Sequence, residues 1–124
     1  MAHTQRITAT KEALELIAKL TDRFGDLMFH QSGGCCDGSS PMCFEKGDFK
    51  TGSSDVRLGY VAGYEFWMSN DQFEYWQHTQ LTLDVVRGRG SSFSIEIPSG
   101  FRFMIRSRLF TPEEAADLEP VFRH

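Results

Sequence analysis

Residues 8–31 read TATKEALELIAKLTDRFGDLMFHQ, and the period of the apolar residues changes inside this stretch. Ala13, Leu16, Ile17, Leu20 and Phe24 recur at the spacing of one helix face. Thr8 or Thr10 can cap the start, and Gly25 can stop the end. Beyond Gly25 the pattern becomes an alternation, with Leu27, Phe29 and Gln31 on one side and Met28 and His30 on the other, as in a strand. A helix with one buried stripe therefore feeds a strand whose end carries His30.

Working outward, residues 44–56, FEKGDFKTGSSDV, read as loop or hairpin material. Residues 56–69, VRLGYVAGYEFWMS, read as two short strands hinged near Gly63. Ser69 and Gln72 stand at capping-box spacing, which predicts a short helix through about Trp76. LTLDVV (81–86), SFSIEI (92–97) and FRFMIRSRLF (101–110) alternate as three strands, with RGRG (87–90) and PSG (98–100) as turns. The RGRG turn lacks the strand-to-helix setting of a phosphate-binding glycine loop. Thr111, Pro112 and the acids Glu113 and Glu114 open a short closing helix. Eleven phenylalanines among 124 residues suit ring-faced sheets better than a helical bundle. The expectation is one domain over residues 1–124, α+β and mostly β, with an N-terminal helix and a short C-terminal helix.

Thirteen basic against seventeen acidic residues leave a net charge of -4, which argues against a general nucleic-acid binder. No apolar run reaches the roughly 18 residues of a membrane span, and the N-terminus lacks a basic start followed by an apolar run. A cytoplasmic protein is expected. The exposed-looking aromatics of YEFWMSNDQFEYW (64–76) suit core, interface and a homo-oligomer better than a ligand box.

All three cysteines fall in residues 30–43, HQSGGCCDGSSPMC. A reducing compartment disfavours structural disulfides, so metal binding, redox chemistry or simple burial must account for them. Thiolates and imidazole are soft ligands that suit zinc, iron or copper. Cys36 and Cys43 are the expected main ligands, since adjacent cysteines can share one ion only with a strained backbone. Cys35 is a third ligand or lies behind the ligands. His30 is a ligand or a strand-end histidine bonded to the loop, and Asp37 is an oxygen ligand or stabilises its own turn. A thiol redox module would instead join Cys43 to Cys35 or Cys36.

Glu74 and His78 stand four apart, as a ligand pair or a surface pair at a helix end. Asp84, inside an apolar strand, needs a partner such as Arg87, Arg89 or Arg102. Arg102, Arg106 and Arg108 alternate on one strand face and form either an anion site or a solvated or subunit-facing surface.

The stretches FHQSGGCCDGSSPMC, EYWQHTQLTLDVVRGRG and RSRLF resemble the bacterial family named domain of unknown function seven-seven-nine, over nearly the whole chain. Its members typically lie beside aldehyde dehydrogenases, which implies an accessory role in aldehyde metabolism and no established activity. More distantly, the order of helix, strand, GGCCDG loop, serine-capped helix and LTLDVV strand is similar to the A-type iron–sulfur carriers, implying a compact HesB-like β-sandwich or barrel. That likeness would bring His78 or Asp84 near the glycine loop as further ligands. It departs where the carriers have a C-terminal cysteine pair, because MIRSRLF holds Arg106 and Arg108 and no cysteine. The expected function is a small transition-metal-binding accessory protein serving or regulating an aldehyde dehydrogenase. The alternatives are the thiol redox module and a small metalloenzyme acting on aldehydes or peroxides.

Overall fold

The computed structural model describes residues 4–31, 41–88, 100–118 and 120–123. Helix α1 spans Lys11–Phe24; Thr10 caps it by accepting from the Ala13 amide, and Gly25 ends it at φ 84°. Its stripe of Ala13, Leu16, Ile17 and Leu20 is buried, as the spacing predicts. Before it comes a strand absent from the sequence reading, β1 (Ile7–Ala9), after it β2 (Leu27–Gln31), then β3 (Met42–Glu45), whose last two residues open the stretch read as loop or hairpin material.

Strands β4 (Asp55–Val61) and β5 (Tyr64–Ser69) form the hairpin hinged near Gly63. A register shift between Arg57 and Gly59 resets the alternation, so Val56, Leu58 and Val61 are all buried. Helix α2 (Asn70–Trp76) starts at Ser69, whose hydroxyl accepts from the Gln72 amide. The Gln72 side chain does not close the capping box; its Oε1 accepts from Trp76 Nε1. Strands β6 (Thr79–Arg87) and β7 (Phe101–Leu109) pair antiparallel, helix α3 (Pro112–Ala115) carries a complete capping box on Thr111 and Glu114, and β8 (Phe122–Arg123) follows. The strand expected at 92–97 and the turns at 89–90 and 98–99 lie outside the described residues.

The fold is α+β and mostly strand. A three-stranded sheet has the order β1-β6-β7, and a five-stranded sheet the order β3-β2-β5-β4-β8, with β1 parallel to β6 and β2 parallel to β5. Among the described residues neither sheet closes into a barrel. The sheets meet through Phe29 of β2, which packs edge-on to Phe103 of β7 at 5.2 Å and stacks with Phe66 of β5 at 6.0 Å. Leu81, Leu83, Ile105 and the α1 stripe complete this core. No described helix is long and apolar enough to cross a membrane.

Candidate functional site

Strand β2 is buried on both faces. Leu27 and Phe29 face the core between the sheets, while Met28 and His30 face the other way, onto the outer side of the five-stranded sheet. On that side the register sets Met42, His30, Trp67, Arg57 and Phe122 in one row across five strands. Phe49, from the segment after β3, closes over the row: its ring lies 4.4 Å from the His30 ring and 5.0 Å from that of Phe44. His30 is thereby only 4% exposed.

A buried imidazole needs partners for its polar atoms, and Asp55 supplies one. His30 Nε2 lies 2.7 Å from Asp55 Oδ1, a contact that passes over β5 from β2 to the start of β4. The carboxylate is itself held: its Oδ2 accepts from the Gly52 amide at 2.9 Å, and the Asp55 amide donates back to the Gly52 carbonyl. An ionised carboxylate only accepts, so the proton of this contact sits on Nε2. Nδ1 has no hydrogen-bond partner among the described residues. The other carboxylate on this face, Glu65, is occupied by Arg57 at 3.2 Å and by Trp67 Nε1 at 3.2 Å. Arg57 in turn lies 4.5 Å from the centre of the Phe122 ring and 5.0 Å from that of Tyr60.

The other expected site residues fall in different places. Cys35, Cys36 and Asp37 lie outside the described residues. Cys43 is in strand β3 rather than a loop, is fully buried in the core, and stands directly opposite Phe29. Opposed residues share a face and adjacent residues do not, so Cys43 points into the core while His30 points away from it. Cys43 and His30, expected on one ion, thus leave opposite faces of the sheet. Glu74 is exposed on α2, and His78 is exposed beyond the end of that helix, where its carbonyl accepts from the Phe110 amide. The two do not form a ligand pair on one helix face.

Asp84 is a structural carboxylate, and its partners differ from those expected. Arg106 Nε donates to it at 2.8 Å, the Thr10 hydroxyl at 2.9 Å and the Val85 amide at 2.8 Å. Burial pushes its carboxyl up, but the hydrogen bonds from Arg106, Val85 and Thr10 outweigh that and hold it below the ordinary value. Arg108 grips Glu114 with both terminal nitrogens, at 2.7 and 2.8 Å. That contact, aided by the Thr111 amide, lowers the Glu114 carboxyl to about 2. Of the three arginines read as an anion site or a solvated or subunit-facing surface, Arg106 pairs with Asp84 and Arg108 with Glu114. Among the described residues no three His, Cys, Asp or Glu side chains gather as a ligand set, and His30 with Asp55 is the only buried histidine–carboxylate contact.

Asp55 and Phe49 are the residues that sequence reasoning missed. Asp55 is 25 positions from His30, and its one local signal is the GSSD turn before the Val56 alternation.

This chain is matched over residues 16–109 by the family model described as Domain of unknown function (DUF779), and it belongs to that family. No curated protein and no solved structure matches it.

Proposed function

We propose that this is a small transition-metal-binding accessory protein whose centre is built on His30. The observation that carries the reading is a buried imidazole anchored through Nε2 to Asp55, with Nδ1 lacking a partner among the described residues, two positions before the segment that holds Cys35 and Cys36. Histidines that bind metals commonly give their second ring nitrogen to a carboxylate, which is the arrangement here. The ligands of this reading are His30 Nδ1 and the thiolate of Cys36, with Cys35 as a third ligand or behind the ligands and Asp37 available as an oxygen donor. Cys43 leaves the set. Such a nitrogen and sulfur set suits zinc, iron or copper, and a bound ion supplies Lewis acidity or a fixed positive charge.

The partner of this reading is an aldehyde dehydrogenase, which the family likeness implies. The test is elemental analysis of protein purified without tag or chelator, alongside Cys35→Ser, Cys36→Ser and His30→Ala. Near-stoichiometric metal in the wild type that falls in the His30 variant and in at least one cysteine variant supports the reading. Equal metal in all four proteins contradicts it.

A further inference from the structure

Resting on that reading, we infer that Asp55 is the positioning residue of the centre: it locks His30 in the tautomer protonated at Nε2 and so makes Nδ1 the nitrogen offered to a soft divalent cation. Three observations combine here. The carboxylate is fixed before it meets the ring, because the Gly52 amide holds its second oxygen and the same turn holds its backbone. The ring is fixed as well, since Phe49 lies against it and a half-turn about its bond to Cβ would break the 2.7 Å contact in a place only 4% exposed. Glu65, the competing carboxylate of this face, is taken by Arg57 and Trp67.

The consequence is a choice between two nitrogens that free histidine leaves open. A ring that must keep its proton on Nε2 has one lone pair to give, on Nδ1, the nitrogen nearer the main chain. Asp55 touches no ion in this scheme and acts through His30.

Long-range proton–nitrogen NMR of nitrogen-15-labelled, metal-stripped protein in mildly alkaline buffer reads the tautomer directly, and cobalt(II) titration reads the affinity. In the wild type the His30 ring is expected as the Nε2–H form. Asp55→Asn, nearly the same size, can turn its amide to donate to Nε2 and is expected to admit the Nδ1–H form. It should weaken cobalt binding about 10- to 100-fold, with the backbone spectrum unchanged. Asp55→Glu should restore most of the tautomer preference and the affinity. A wild-type ring protonated at Nδ1, or an Asn variant with unchanged tautomer and affinity, overturns the role of Asp55 while leaving a metal centre standing. A wild type in the Nε2–H form that binds no cobalt, zinc or copper overturns the metal reading, and the ligand role of Nδ1 with it.

Discussion

Cys43 and His30 sit on neighbouring strands one register step apart, yet the pleat sends them to opposite sides of the five-stranded sheet. The thiol belongs to the packing around Phe29, where it is fully buried. Cys43→Ser places a hydroxyl there and should destabilise the protein by about 1–3 kcal/mol in urea unfolding. The metal content of the folded protein should stay at the wild-type level. A variant of unchanged stability that had lost its metal would return Cys43 to the ligand set. Asp84 and Thr10 make the complementary case of polar residues that are structural. Thr10 caps α1 and also donates to Asp84, so Thr10→Ala should cost about 1–2 kcal/mol, again without loss of metal. The cap is legible in the sequence, but the bond to Asp84 is not, because Thr10 and Asp84 are 74 positions apart.

At the scale of elements, those with strong local rules were legible and those formed by pairing were not. The α1 stripe, the serine and threonine caps of α2 and α3, and the alternations of β6 and β7 all sit where spacing predicts. Strand β3 was missed because its four residues follow a proline and a glycine-rich run, and what makes it a strand is β2 alongside. β1 was hidden among threonines that also offer a cap, and it is ordered by parallel pairing with β6. The β4–β5 hairpin carries a local conflict: Ala62 has φ 53° beside Gly63 at φ 83°. Both turn positions are thus left-handed, as a tight two-residue hairpin requires, and alanine is a poor choice for the first. Ala62→Asn should stabilise the protein by on the order of 0.5 kcal/mol, read as a higher urea midpoint. An unchanged or lower midpoint would contradict the strain.

For the whole molecule, the described carboxylates with lowered values set part of its response to acid. Glu114 falls from 4.5 to about 2 and Asp84 below its ordinary 3.8. A depressed carboxyl contributes stability that is complete above its unfolded value and lost as pH falls through its folded one. Stability should therefore decline from about pH 5 towards about pH 2. Arg108→Ala should flatten that decline by lowering stability near neutrality and converging with the wild type towards about pH 2, with a small amplitude because the pair is exposed and screened. Urea midpoints across this range check both. A variant whose acid limb matched the wild type would show that the Arg108–Glu114 contact is not kept in solution.

Of the candidate site, the sequence shows which residues have metal chemistry but not which of them meet. His30 was legible from the alternation of β2; its anchor Asp55 and its cover Phe49 were not, because they reach it across the sheet and over it. The central claim is that a metal centre is built on His30, and the most direct measurement is calorimetric titration of reduced, metal-stripped protein with zinc, for the wild type and His30→Ala. The account predicts one ion per chain in the wild type and binding lost or greatly weakened in the variant, with both proteins folded. A wild type that binds no zinc, cobalt or copper, or a variant that binds as tightly as the wild type, would contradict it.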